Sequence, residues 1–208
     1  MEKKIGGIHI LLGASSVGKF SAEDLARIAV DGGASVVQLR EKHLPMGELL
    51  PIAKRIRAIC RDIAFIVNDR ADLALILEAD GVHVGQDDLP INYARELLGA
   101  KSIIGISCGS LEEAISAQES GANYIGFGHM YPTTSKIKTM PPKSLELLKE
   151  VCISLSIPAI AIGGITADNQ KPVLDCGVAG LAIISAFSEA VDPREEIQKF
   201  AVNFIARQ

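Results

Sequence analysis

Tryptophan is absent, and aromatic residues make up only 4% of the 208 positions. A core built on large rings is therefore excluded. Hydrophobic residues still reach 48%, so the interior must be mostly Ile, Val, Leu and Ala, as in parallel strands buried on both faces. Cysteine is sparse: Cys60, Cys108, Cys152 and Cys176 stand far apart with no C-x-x-C pair. That spacing argues against a disulfide framework or a zinc site, and a reduced cytoplasm fits it best. Cys108 reads as a small buried thiol. A charge excess is missing as well, with 21 basic against 25 acidic residues and a net charge of −4. Nucleic acid and membrane surfaces are thereby disfavoured as partners, and any basic cluster must be local, facing a local anion. No apolar stretch is long enough to span a bilayer. Lys3 and Lys4 precede an apolar run, Ile5 to Ala14, that superficially resembles a signal peptide. The run is short, is interrupted by His9 and lacks a small-x-small cleavage site, so Ile8–Leu12 reads instead as a first strand.

What is present is alternation. Strand patterns fall near 7–12, 35–40, 64–68, 80–85, 102–106, 123–128, 158–162 and 179–184. Helical patterns fall near 21–31, 46–61, 70–78, 90–98, 111–120, 142–155, 167–175 and 193–206. Strict alternation argues for parallel pairing through right-handed crossovers. Gly33, Gly81, Gly121 and Gly177 sit where helix C-caps are wanted, and Ser21, Asp168 and Asp192 where N-caps are wanted, with Pro193 suited to a first helical position. No linker divides residues 1–208. The expectation is one compact (β/α)8 TIM barrel with short loops, except between strand six and helix six. That loop, His129 to about Pro142, carries Thr133, Thr134, Ser135, Lys136 and Lys138 with no acid. Long loops in compact domains are usually functional or disordered, and this one reads as a lid that meets an anion.

The strands end in polar residues, and a barrel gathers such ends at one mouth. Asp69 and Asp88 follow neighbouring strands. Each alone reads as a helix N-cap; together, opposite Lys and Arg, they suit Mg²⁺, a hard cation that takes one or two protein oxygens beside phosphate. Gln38, Arg40 and Lys42 alternate, which places them on one face, the barrel interior. Buried cations need counter-charges; an internal network with the aspartates or a bound diphosphate would each serve, and Arg suits bidentate phosphate recognition. Gly163-Gly164-Ile165-Thr166 and Ser185-Ala186 follow strands seven and eight, where barrels commonly hold a phosphate; a pair of tight turns would read the same way. His83 reads as a satisfied core histidine. His129 ends strand six and reads equally as a proton-transfer group facing the pocket or as a structural residue. Gly13-Ala14-Ser15-Ser16-Val17-Gly18-Lys19-Phe20 nearly matches a Walker A loop, but Phe20 stands where a hydroxyl is required and the later alternation contradicts that fold.

Seven segments in order resemble the thiamine-phosphate synthase and thiazole tautomerase superfamily: Gln38-Leu39-Arg40-Glu41-Lys42, Asn68-Asp69-Arg70, Gly81 to Asp88, Gly105-Ile106-Ser107, Pro132 to Lys136, Ala161 to Ile165 and Ile183-Ile184-Ser185. The resemblance runs from about residue 35 to 200 and is closer to the synthases. It implies an enzyme that joins hydroxymethylpyrimidine diphosphate to hydroxyethylthiazole phosphate, giving thiamine phosphate and diphosphate. It implies Mg²⁺ on Asp69 and Asp88. Arg40, Lys42, Asn68 and Lys136 would grip the diphosphate, and Gln38 and Ser107 would contact the aminopyrimidine. Thr133, Ser135, Gly164, Ile184 and Ser185 would place the thiazole phosphate. Ser107, Lys136, Arg40 and His129 are the catalytic candidates on this reading. Two departures stand out: Thr133-Thr134-Ser135-Lys136 carries Ser where the family often has a second Thr, and Ile8-His9-Ile10-Leu11-Leu12 lacks the usual strand-one Tyr. Tautomerase relatives carry Gly-His where Gly128-His129 stands, but generally lose the acidic pair. The alternatives are therefore a tautomerase centred on His129, or a non-catalytic thiazole-phosphate-binding regulator. The partners expected are small molecules only, and the sequence leaves room for a homo-oligomer.

Overall fold

A computed structural model describes residues 3–133 and 141–205. Eight parallel strands close into a barrel in sequence order: β1 (Gly7–Leu12), β2 (Val36–Leu39), β3 (Ala64–Asn68), β4 (Gly81–Val84), β5 (Ile103–Cys108), β6 (Tyr124–Gly128), β7 (Ala159–Ile162) and β8 (Gly180–Ile183). The ring is sealed where β8 meets β1, with His9 opposite Ala182. Seven helices fill the crossovers: α1 (Ala22–Asp31), α2 (Met46–Ile59), α3 (Ala71–Ile76), α4 (Ile91–Leu98), α5 (Leu111–Glu119), α6 (Leu145–Ser154) and α7 (Gln170–Leu174). A short α8 (Ser185–Ser188), not anticipated from the sequence, then precedes the final α9 (Pro193–Ile205). Among the described residues no helix is long and apolar enough to cross a membrane.

Strand periodicity divides the core into two shells. Ile8, Ile10, Leu12, Val37, Leu39, Phe65, Val67, Val82 and Val84 face the helices. Leu11, Val36, Ala64, Ile66, Tyr124, Ile160 and Ala182 fill the barrel itself. The inner shell is not wholly apolar, because His9, Gln38 and His83 are buried among the strands as well. Cys108 is buried, and burial pushes its thiol up to about 12.

Several local expectations change. Ser21 caps α1 in a full capping box with Asp24, and Asp192 accepts from the Arg194 and Glu195 N–H groups at the start of α9. Asp168, however, is not a cap: Asn169 occupies that position, exchanging bonds with Thr166. Gly33, Gly121 and Gly177 have the positive φ of residues that follow helices. Gly81 instead begins β4, where a Cβ would strike the backbone of Ile103, so its role is close strand approach. The segment with Walker-like spacing forms a tight turn closed by Val17–Phe20 backbone bonds, with Lys19 exposed.

Candidate active site

The strand ladder continues past β3 for one residue: the Asp69 N–H donates to the His83 carbonyl at 2.8 Å. Asp69 adopts φ 63°, a left-handed conformation that Asp tolerates better than most residues. Its neighbour across the ladder, β4, ends in a turn in which the Gly85 N–H donates to Asp88 Oδ2 at 2.7 Å. The Asp69 backbone and the Asp88 carboxyl are thereby fixed, and the two carboxyl groups adjoin. Neither is the N-cap of the helix that follows it, since Arg70 and Pro90 take those positions. Burial and the adjoining Asp88 carboxyl push the Asp69 pKa up, while Lys42 and Arg40 pull it down.

The strand-two cations reach this pair from the other side. Lys42 Nζ lies 3.8 Å from Asp69 Oδ2. Strand β2 ends at Leu39, so only Gln38 is buried inside the barrel; Arg40 is half-buried and Lys42 exposed at the rim. The expectation of three residues on a buried face is corrected accordingly, because the chain leaves the barrel wall before the last two. Their loop is tied by Glu41, which sequence reasoning passed over. Its Oε1 accepts from the N–H groups of Lys42 and His43 at 2.9 and 2.8 Å, and its Oε2 from Ala14 at 3.0 Å. Burial would raise the Glu41 pKa, yet these backbone donors outweigh it and the carboxyl lies below its ordinary value.

A third group lies beneath the mouth. Ser107, near the end of β5, is exposed, and its Oγ is 3.0 Å from His83 Nε2. His83 Nδ1 is 3.0 Å from the Tyr124 hydroxyl, and Gln38 lies close enough to temper the rise that burial imposes on the Tyr124 pKa. His83 is thus the satisfied core histidine that was expected. Burial, reinforced by nearby His9, holds it neutral with a pKa of about 3. Tyr124 was missed because an aromatic residue opening a strand gives no sign of its partners.

Across the mouth, a cavity of about 510 Å³ is lined by Pro132, Thr133, Gly163, Gly164, Ile184 and Ser185, among others. Gly164 has φ 65°, and a Cβ there would lie 2.5 Å from the Pro132 carbonyl oxygen. Only glycine fits. Asn169 braces the turn, donating to the Gly164 carbonyl at 3.0 Å. Ile184, Ser185 and Ala186 bring the start of α8 to the same cavity, where the first N–H groups of a helix lack intrahelical partners and suit an anion.

Thr133, Gly164, Ile184 and Ser185 are therefore brought together, and so are Arg40, Lys42, Asp69 and Asp88. Asn68, the last residue of β3, pairs in register with His83. Ser135 and Lys136, with the centre of the presumed lid, lie outside the described residues. His129, which read equally as a pocket-facing proton-transfer group or as a structural residue, is buried at 5% exposure and packed where a Cβ on Gly163 would fall.

Two carboxylates, two cations and a glycine-and-helix-start cavity thus gather at the C-terminal rim of a (β/α)8 barrel. A sequence model of the family described as thiamine monophosphate synthase matches residues 11–187, and the chain belongs to that family. It is 50% identical over 171 residues to the thiamine-phosphate synthase of Chlorobium phaeovibrioides, covering 81% of this chain and 82% of that one. It is 40% identical to the Salinibacter ruber thiamine-phosphate synthase across 100% of this chain and 93% of that one. The solved thiamine phosphate pyrophosphorylase from Pyrococcus furiosus superposes with a TM-score of 0.85 at 36% identity, covering 97% and 96% of the two chains.

Proposed function

We propose that this chain is the transferase its relatives are named for, coupling hydroxymethylpyrimidine diphosphate to hydroxyethylthiazole phosphate with release of diphosphate. One observation carries the assignment of roles. The acidic pair and the strand-two cations form one cluster, separate from the cavity around Gly164 and Ser185, so the mouth offers two anion sites for two phosphorylated substrates.

Arg40, Lys42 and Asn68 bind the diphosphate at the cluster, and Lys136 is assigned to it from the loop. Gln38 and Ser107 take the aminopyrimidine. Thr133, Ser135, Gly164, Ile184 and Ser185 place the thiazole phosphate. Asp69 and Asp88 would hold Mg²⁺. The donor set fits: two facing carboxylates, one of them raised in pKa by the other, are the arrangement that a hard divalent cation relieves. Bound there, Mg²⁺ supplies charge neutralisation to the departing diphosphate. The C–O bond to diphosphate breaks at the pyrimidine CH₂, the electron-rich ring bears the positive charge, and the thiazole nitrogen closes on it. Arg40, Lys42 and Lys136 stabilise the growing leaving-group charge. No side-chain nucleophile is needed; the remaining residues orient two rings and keep water from the cation. The tautomerase reading rests on His129 alone, and the burial of that side chain does not favour it.

The test is an assay with both precursors and Mg²⁺, followed by detection of thiamine phosphate and diphosphate. Product is expected from the wild type, no product without Mg²⁺, and loss of product in Asp88→Ala. Conversion of the thiazole phosphate alone, independent of Mg²⁺ and abolished by His129→Ala, would replace the proposal with the tautomerase.

A further inference from the structure

A glycine turn adopts unusual backbone angles freely but holds no shape of its own. Gly163 and Gly164, at φ 100° and 65°, carry the chain from β7 past the cavity that both line. Both carbonyls of the turn are nevertheless tied down. The Tyr131 N–H donates to the Gly163 carbonyl at 3.0 Å, and Asn169 Nδ2 donates to the Gly164 carbonyl at 3.0 Å. Asn169 Oδ1 accepts from the Thr166 N–H at 2.8 Å. A carbonyl only accepts and a backbone N–H only donates, so the amide has one orientation and each bond one direction. The Tyr131 hydroxyl closes the bracket, donating to the Asn169 carbonyl at 3.0 Å. Asn169 stands at the N-cap of α7, where an Asn side chain ordinarily accepts from the helix's own N–H groups. It makes no such bond; both polar atoms of the side chain serve the turn instead.

We propose that Asn169 and Tyr131 are positioning residues that aim the Gly164 and Ile165 N–H groups at the phosphate of the thiazole substrate, and so set the preference for the phosphate monoester over the free alcohol. The inference rests on the assignment of the thiazole phosphate to this cavity. In a planar trans peptide, the N–H of one residue points opposite to the carbonyl of the residue before it. Fastening the Gly163 and Gly164 carbonyls therefore turns the Gly164 and Ile165 N–H groups away from Tyr131 and Asn169. Among the described residues neither N–H meets an acceptor, and Gly164 and Ile165 both line the cavity. Successive backbone N–H groups held in such a turn form an anion-binding concavity. Tyr131 has a second hold on it, because a Cβ on Gly164 would lie 2.8 Å from Tyr131 Cβ. The two residues that follow Tyr131, Pro132 and Thr133, line the same cavity, so one side chain ties the phosphate turn to the facing wall. Without the bracket the glycines regain their rotational freedom, and binding must order them again at the expense of affinity.

The experiment compares KM for hydroxyethylthiazole phosphate with the inhibition constant of unphosphorylated hydroxyethylthiazole, whose binding does not use the turn. In Tyr131→Phe, which removes only the hydroxyl, KM should rise about fivefold, the worth of about one hydrogen bond, and in Asn169→Ala at least tenfold. The inhibition constant of the alcohol, kcat at saturation and KM for the pyrimidine diphosphate should stay near wild type, so the preference for the phosphate ester falls by the same factors. An unchanged preference in both variants overturns the proposal. Equal weakening of ester and alcohol also overturns it, since that would mean a cavity deformed as a whole. Gly164→Ala separates the two layers. If it leaves KM for the thiazole phosphate intact, the phosphate does not bind at this turn, and the site assignment falls with the inference. If Gly164→Ala raises KM and neither Asn169→Ala nor Tyr131→Phe does, only the inference fails. Should Asn169→Ala not fold, Tyr131→Phe decides by the same ratio.

Discussion

Asp69 combines two features that stability alone would not choose: a left-handed backbone and a carboxyl pressed against another carboxyl. Such outliers persist where the surrounding structure over-determines them, here through the ladder bond from Asp69 N–H to His83. Asn tolerates the same backbone region and removes the like charge. Asp69→Asn is therefore expected to fold with a thermal midpoint no lower than wild type while synthase activity falls about a hundredfold, the scale of losing one preorganised electrostatic group. Paired melting curves and initial rates check this; a variant that loses stability along with activity would show that the pair is a structural feature. The acids themselves were legible in the sequence because each follows a strand end. Their contact, and the work of Glu41 between two cations, were not. Both depend on where a loop returns in space, and a residue whose task is to hold backbone N–H groups looks in sequence like any surface acid.

At the scale of the element, the sequence and the structure agree best where the pattern is longest. Among the described residues, all eight strands and eight of the nine helices fall where hydrophobic periodicity places them. The one helix missed, α8, spans a single turn, too short for any 3.6-residue period to declare itself. Yet that turn forms part of the cavity beside Thr133, as do Gly163 and Gly164, whose glycines were visible and whose partners were not. Gly164→Ala tests how much of the cavity the turn supports. The added methyl must adopt φ 65° and approach the Pro132 carbonyl and Tyr131. Strain of this kind costs about 1–3 kcal/mol. KM for the thiazole phosphate should rise at least tenfold, while the inhibition constant of diphosphate at the Asp69–Lys42 side stays near wild type. Equal weakening at both sites would mean that the mouth responds as one unit and not as two pockets.

For the molecule as a whole, the polar contents of the barrel set how stability depends on pH. His9 and His83 are buried at 1% and 8% exposure, and burial lowers their pKa values from 6.5 to about 4 and about 3. In the unfolded chain both protonate near pH 6.5, whereas in the folded chain they stay neutral to much lower pH. Between those limits the unfolded state binds more protons, so acidification favours unfolding. The stabilising contribution is complete above about pH 6.5 and is lost as pH falls toward 4 and then 3. Each histidine contributes a slope of about 1.4 kcal/mol per pH unit within its window. Asp69 acts with the opposite sign: its raised pKa means that, as pH falls, the folded state takes up a proton before the unfolded one does, which returns some stability as pH descends toward the ordinary carboxylate value. Both histidines contribute to the loss between about pH 6 and 4.5. Urea unfolding at pH 7.0, 5.5 and 4.5 measures it. His9→Leu, which removes one of the two groups from among inner-shell residues, should roughly halve the slope in that interval. An unaltered slope would mean that the barrel admits water or a counter-charge to His9 as the pH drops, and that its dry interior is not what keeps the histidines neutral.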